Sequence, residues 1–314
     1  MTGFRDESMT ILLYRLLIAL LLTASTPAFA NVCTDALNRF DYPAARAIAQ
    51  ARLTGNSADA TAWICLARSL YETGHFTDGL AALTRTDALS MDAATRVLAD
   101  NWYGVTLRRL NRRVEAWHRL QAALALARQV GDQAGLATAL HNSAGLLYDA
   151  DRANAALDHY RQSLAINPDA AERSASLNNM GLIEADRGNL AMAMQLIETA
   201  IALNRQYGHF HHLGKHLMNL GNLYRSFNRL DEAEALIKEG AALVEKADDR
   251  FWIAVSHRLA AWVALDRGRV DQARTRLELA IKDYSLAGAP MEEAESRAEL
   301  TQLLTQLPTG PSRP

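Results

Sequence analysis

The stretch YGHFHHLGKH carries His209, His211, His212 and His216, the last two one helical turn apart. Imidazoles at that spacing share a helix face and can chelate zinc, but no nearby cysteine or carboxylate in the sequence completes a ligand set. The same residues nearly spell a phosphate loop. Gly208 to Gly214 encloses five residues where four are required, and His216 follows Lys215 where a Ser or Thr is needed. The phosphate reading is rejected, and a metal site or enzyme built on His209 to His216 is the most distant alternative. The chain has no G-x-S-x-G, no H-E-x-x-H and no Cys-His pairing to activate a nucleophile, so the sequence reads as non-enzymatic. RRLNRR, Arg108 to Arg113, supplies cations for an acidic partner or nucleic acid, yet between acidic neighbours it reads as a solvated corner. Lys and Arg total 33 against 35 Asp and Glu, so no strong field draws in nucleic acid. No cofactor is implied.

A third candidate is NLGNLY, Asn219 to Tyr224, whose shape returns in NNMGLIE from Asn178 and NSAGLLY from Asn142. Its glycine stands in an apolar stripe, Leu217, Leu220, Gly221 and Tyr224, with the 3, 1, 3 rhythm of an α-helix rather than a strand-to-helix loop. The small residues Ala67, Gly104, Gly145, Gly181, Gly221 and Ala261 are each followed by a second, Gly79, Ala116, Ala156, Ala193, Ala233 and Ala273, at separations of 12, 12, 11, 12, 12 and 12. So constant a spacing marks one supersecondary unit used six times. In the fifth copy Ala233, Ile237 and Gly240 continue the apolar rhythm beyond a short connection at Asn228 and Arg229, which predicts two antiparallel helices crossing closely at Gly221. DYPAARAIA, with Ala45 lying 34 residues before Gly79, is an earlier half-unit. The abundance of Ala and Leu with only 7% aromatics agrees with an all-α chain.

These residues resemble the tetratricopeptide repeat, W-x2-L-G-x2-Y, then A-x3-F, then P. Trp63, Leu66, Ala67, Gly74, Phe76, Gly79 and Leu83 follow it in the first full unit, Leu220, Gly221, Tyr224, Ala233 and Ile237 in the fifth, and Pro168 closes the third. The resemblance covers about residues 38 to 287. It implies a right-handed α-solenoid, a half-unit plus six repeats over 31–289, closed by a polar capping helix over 290–307 that Pro290 opens, with residues 308–314 as a disordered tail. Between units the distances run 22, 25, 29, 25, 28 and 28, longer than the 34-residue repeat gives, and predict about one extra turn on one or both helices. Such long units are similar to those of kinesin light chains and bacterial peptide-responsive regulators, so the partner implied is a protein or an extended peptide.

In the family, the stripe of each first helix opposite its packing face lines a concave groove. Mapped onto this chain, the groove takes Arg68, Glu72, Asn101, Arg108 and Arg109 from the first two units and Asn142, Asp149, Asn178, Asn179 and Asp186 from the middle pair. The last two units add Lys215, Asn219, Asn222, Arg225, Arg258, Trp262 and Asp266. Asparagine is a poor helix former, and its recurrence there has two readings: an amide ladder for a peptide backbone, with Asn179 and Asn219 at the ladder position, or plain solvation. Trp102, Trp117 and Trp252 read as core.

The first thirty residues read as an export signal. Leu16 to Leu22 is wholly apolar, Arg5 and Arg15 precede it, and Ala28-Phe29-Ala30 is a signal-peptidase pattern that leaves Asn31 as first residue. The rival is an uncleaved anchor, residues 16 to 34, making the chain a membrane-anchored sensory or signalling ectodomain; contact with the membrane is expected only then. The expected location is the bacterial periplasm, or alternatively the inner membrane with the domain facing the periplasm. Export favours a disulfide between Cys33 and Cys65, although two unrelated buried thiols are the open alternative.

Overall fold

The computed structural model describes residues 26–167 and 169–306, with side chains from Val32 to Thr305. The apolar run of the expected signal, Pro168 and the expected tail lie outside the described residues. These fold as fifteen α-helices, with no strand among them. In chain order they are α1 (Thr26–Asn38), α2 (Tyr42–Gly55), α3 (Ala60–Glu72), α4 (Phe76–Thr84), α5 (Ala93–Arg109), α6 (Arg113–Val130), α7 (Gln133–Asp149) and α8 (Ala153–Ile166). There follow α9 (Ala170–Asp186), α10 (Leu190–Tyr207), α11 (Phe210–Ser226), α12 (Leu230–Lys246), α13 (Arg250–Asp266), α14 (Val270–Ala287) and α15 (Pro290–Gln306). Consecutive helices pack as antiparallel pairs, the pairs stack into a right-handed solenoid, and α15 caps it. No helix among the described residues is long and apolar enough to cross a membrane.

Local chemistry explains each pair. Asp59, Asp92, Asp132, Asp169 and Asp249 stand just before first helices, and each carboxylate accepts a hydrogen bond from a backbone N–H in the first turn. Each first helix from α3 to α13 ends in a left-handed residue, Gly74, Asn111, Asp151, Gly188, Asn228 or Gly268, types that tolerate positive φ, whereas α1 ends in Phe40 at φ 59°. The next N–H then reaches back to a carbonyl of the last turn, as Arg229 does to Tyr224 at 3.0 Å. At the crossing of α11 and α12 a Cβ on Gly221 would lie 2.9 Å from Ile237 Cγ1 and 3.0 Å from the Ala233 carbonyl oxygen. Gly181 meets Ile197 and Ala193 in the same way. The extra turn that the spacing predicts is present, since α5, α7, α9, α11 and α13 have 17 residues each.

The sequence predicts only half a unit around Ala45. In the structure α1 pairs with α2, burying Cys33, Ala36 and Leu37 with Tyr42, Ala45, Ala49 and Cys65. Part of α1 lies in the expected export signal, and the expected cleavage point after Ala30 falls within it. Cys33 and Cys65 form a disulfide from α1 to α3, their Cα atoms 6.3 Å apart.

The two ends of the solenoid meet. The Thr73 carbonyl accepts a hydrogen bond from the Arg250 N–H at 3.2 Å. Gly74, at φ +76°, lies so close to the start of α13 that a Cβ there would be 2.7 Å from the Phe251 nitrogen, so both its dihedral and its bareness are needed. Phe76 of α4 packs in one buried cluster with Phe251, Ala254, Tyr284 and Ala287. The stack thus runs through one turn and closes along a seam between its first pairs and its last.

Candidate functional site: a central cavity

Closure turns the concave face into a cavity of about 620 Å³. Its wall comes from the α1–α2 corner and from α3, α5, α7, α9, α11 and α13, the first helix of each later pair, with Tyr160 reaching in from α8.

Of the residues that the sequence assigns to the groove, Arg68, Glu72, Arg108, Arg109, Asn142, Asn178, Asn179, Lys215 and Asn219 line the cavity. The others serve neighbouring helices. Asn101 is 1% exposed and donates to the Gly135 carbonyl across the next first helix. Arg225 pairs with Asp266 at 2.7 Å and also donates to Asn222. Arg258 is held by Glu295 and Glu299 of the capping helix, and Trp262 donates to Glu299. Tyr148 similarly donates to Asp186. The physical reason is common to all: one stripe position on successive first helices comes face to face, so its polar groups staple repeats together.

The asparagines form a chain. Asn219 donates to Asn178 at 3.0 Å, Asn178 to Asn179 at 3.2 Å, and Asn179 to the Tyr160 hydroxyl at 3.0 Å. This links α11, α9 and α8 and leaves one oxygen of Asn219 and the whole Asn142 amide facing the cavity without a protein partner among the described residues.

Arg108 is engaged by Asp149 at 2.6 Å. Burial opposes its charge, but the carboxylate outweighs it and raises its pKa. Lys215 lies 3.3 Å from Asp249 and 3.5 Å from Glu72. Behind it sits a buried clasp. His211 donates from Nε2 to the Asp249 carboxylate at 2.8 Å, which leaves Nδ1 to accept from the Tyr42 hydroxyl at 2.8 Å. That relay joins the first pair to α11 and to the cap of α13. Burial, then Lys215, push the His211 pKa down. Burial works against the Asp249 charge, but Lys215 and His211 overcome it and hold the carboxyl below its usual range.

His209, His212 and His216 line the same end of the cavity, with Phe40 packed edge-on against His209 and His212. Burial, then Lys215, lower the His216 pKa to about 3; burial, then Arg108, lower that of His141 on the opposite wall to about 4. Both are neutral, and His216 Nδ1 accepts from the Asn204 amide at 2.9 Å. No group of three or more His, Cys, Asp or Glu among the described residues is arranged to hold a metal.

Sequence reasoning missed several wall residues. Trp102 and Trp252, read as core, line the cavity, as do Tyr42, His141, Tyr160 and Phe251. The capping aspartates were legible: Asp92, Asp132, Asp169 and Asp249 stand 12 or 13 residues before Gly104, Gly145, Gly181 and Ala261. Their recurrence marks where each first helix begins, and hence that Phe251 and Trp252 open α13 beside the seam.

Comparison with known proteins agrees with this architecture. A family model described as tetratricopeptide repeat matches residues 95–169 and 172–246. No curated protein matches in sequence. Among solved structures, a Rap protein complexed with competence and sporulation factor superposes with a TM-score of 0.66 at 12% identity, over 98% of this chain and 89% of that one. The Rap conjugation gene regulator of plasmid pLS20, in complex with the Phr* peptide, gives 0.64 at 14% identity over 88% and 75%. A tetratricopeptide repeat protein from Parabacteroides merdae gives 0.53 at 12% identity over 88% and 98%. Residues 95–169 and 172–246 are thus tetratricopeptide repeats, and the helix pairs on either side of them continue the same solenoid fold.

Proposed function

We propose that the chain is a non-catalytic scaffold that takes a short extended peptide into its central cavity. The observation that carries this reading is the wall itself: every first helix from α3 to α13 contributes to one concave space of mixed polar and apolar lining, with the Asn142 amide and the Asn219 amide oxygen left without protein partners among the described residues. Amides both donate and accept, which suits a peptide backbone of any sequence. Size favours an extended strand over a partner helix. About five residues fill the 620 Å³ in either conformation; as a helix they make little more than one turn, too short to be stable, whereas as a strand they span about 16 Å. The Phr* peptide named with the pLS20 Rap structure supports the same reading by analogy of fold.

The chain acts, on this proposal, after export to a periplasm with the leader removed, and the Cys33–Cys65 disulfide supports an oxidising compartment. The test is capture of peptides from an envelope extract, eluted in mild acid and identified by mass, by the wild-type protein and by Ala175→Trp, which plugs the cavity from α9. Peptides retained by wild type and lost from the plugged variant are expected; equal retention by both would move binding off the cavity. The intact mass of the chain released by osmotic shock should begin at Asn31, and a chain retaining residues 1–30 would favour the anchored ectodomain.

A further inference from the structure

The corner between α1 and α2 departs from its counterparts. The later pairs turn on Gly, Asn or Asp in the left-handed region, but this one turns on Phe40 at φ 59°, a strained conformation for a bulky side chain. Its ring is set edge-on against those of His209, His211 and His212, with centres 5.9, 6.2 and 6.1 Å away. Leu37, Asn38, Phe40 and Tyr42 thus form the stretch of cavity wall that covers the histidine end of α11. On the other side of the corner the hold is slight. Among its described side chains α1 buries Cys33, Ala36 and Leu37, whereas α2 packs in its own right through Tyr42, Ala44, Ala45 and Ala49. On the export reading, removal of residues 1–30 takes five of the thirteen residues of α1 and leaves eight, about two turns, too few for a helix to stand without support. Cys33 lies in the first of those turns and is bonded to Cys65 of α3.

Resting on the export reading above, we infer that the Cys33–Cys65 bond is a one-way latch: its formation seats Phe40 over the histidine end of the cavity, so that this wall is complete only in a chain that has reached an oxidising compartment. The two thiols give up two protons and two electrons to the disulfide of a thiol oxidant, which leaves as a dithiol. Once made, the bond is out of reach of a reductant, since Cys33 is 4% and Cys65 3% exposed. Before it is made, the strain at Phe40 is opposed by the edge contacts of its ring and by the burial of Ala36 and Leu37. The corner then relaxes, α1 comes away from α3, and His209 and His212 are laid open to water. The closure at α13 does not depend on this bond, because Thr73, Gly74 and Phe76 meet the start of α13 directly. The latch therefore sets how one end of the cavity is walled and leaves the ring itself shut. A chain that is still reduced offers a ligand an open-ended groove, and the oxidised chain a pocket walled at the α1–α2 corner.

The test uses the full chain, expressed with its own leader, and reads access to a thiol placed under the Phe40 ring by His212→Cys. With Cys33 and Cys65 bonded, and that bond confirmed by mass, the chain has no other free thiol. Ala175→Cys, on α9 in the same cavity, is the control. Alkylation by iodoacetamide is followed by mass spectrometry. In the Cys33→Ser/Cys65→Ser background the His212→Cys thiol should react at least tenfold faster, with less than a twofold change at Ala175→Cys. Phe40→Gly, which suits the left-handed dihedral and removes the ring, should bring the same tenfold rise with the bond intact, and it keeps the test open if the serine variant fails to fold. An unchanged His212→Cys rate in either background overturns the latch, and so does an equal rise at both probes, which would mean general loosening. No ligand enters the measurement, so failure of peptide capture does not bear on it. A chain that retains residues 1–30 in its intact mass yet gives the tenfold rise would overturn the export reading alone and leave the latch standing.

Discussion

Gly221→Leu tests the assigned crossing of α11 and α12 most directly. The Cβ alone would sit 2.9 Å from Ile237 Cγ1, 3.0 Å from the Ala233 carbonyl oxygen and 3.3 Å from Leu236 Cβ. Ile237 can turn its Cγ1 away, but the carbonyl oxygen belongs to the α12 backbone, so the helix itself must yield. Three further carbons of leucine then enter the same gap. Overpacking of this kind costs about 1–3 kcal/mol, against which the better helix propensity of leucine returns about 0.5–1 kcal/mol. The net expectation is a destabilisation of about 1–2 kcal/mol, read as a lower urea midpoint. Because stacked repeats do not always unfold as one unit, amide exchange within α11 and α12 should report the same loss locally. A double-mutant cycle sharpens the test. Ile237→Ala alone should cost about 2–5 kcal/mol as a cavity, but less in the Gly221→Leu background, where the new side chain occupies the vacated space. Additive effects, or an unchanged midpoint in Gly221→Leu, would refute the crossing as drawn.

Three further outcomes are expected. His141 and His216, held near 4 and 3 in the folded chain against about 6.5 unfolded, make the unfolded state bind more protons between those values. Their contribution is full above about pH 6.5 and falls as pH drops, by about 4 kcal/mol in all at pH 5; urea melts at pH 7 and 5 measure it, and an equal midpoint would contradict their burial as neutral groups. The double variant Cys33→Ser/Cys65→Ser opens a link across 32 residues and should lose about 3–4 kcal/mol by the chain-entropy estimate, whereas two free thiols in the denatured, unreduced protein would refute the bond outright. Asn179→Ala/Asn219→Ala removes three hydrogen bonds linking α8, α9 and α11, so a loss of about 2 kcal/mol is expected after helix propensity is credited, together with weaker retention of peptides from the envelope extract; an unchanged melt would mean the amides are merely solvated.

The solenoid was legible because its information is local and repeated. Two small residues 12 positions apart, left-handed turn residues between them and a 3.6-residue apolar rhythm recur often enough to outweigh any single departure. The wall was legible only in part, for a geometric reason. Stripe positions on adjacent first helices face each other, so periodicity alone does not separate Arg68, which lines the cavity, from Arg225 or Arg258, which find a carboxylate 41 residues along. That spacing is one more than the 40-residue step from Gly181 to Gly221 and from Gly221 to Ala261, and pairing opposite charges near one period apart would have flagged both arginines, and Arg108 with Asp149, as held by a neighbouring repeat. The closure was not legible. Tyr42 and His211 lie 169 residues apart and meet because the stack completes one turn, a sum over small rotations that no short segment encodes.

The character of the seam follows from where it falls. Contacts within a pair are apolar and run the length of two helices, as at Gly221 and Ile237, so they hold whether or not the ring is shut. The contacts that shut it include a polar set: the Tyr42–His211–Asp249 relay, Lys215 between Asp249 and Glu72, and one backbone hydrogen bond from Arg250 to Thr73. Apolar area is added across it by the cluster of Phe76, Phe251, Tyr284 and Ala287, by Phe40 against His209 and His212, and by Ala247 on the α1–α2 cluster. Parting the seam therefore exposes polar groups that water can satisfy together with the rings of Phe76, Phe251 and Tyr284, whereas parting a helix pair exposes an apolar face along its whole length. The disulfide bears on the same balance from one side, because it fixes α1 to α3 and so holds the corner that carries Phe40 and Tyr42 against α11. The closure of the ring is thus set by a handful of buried polar side chains and one aromatic cluster, while each repeat in its wall is held mainly by the apolar packing within its own helix pair.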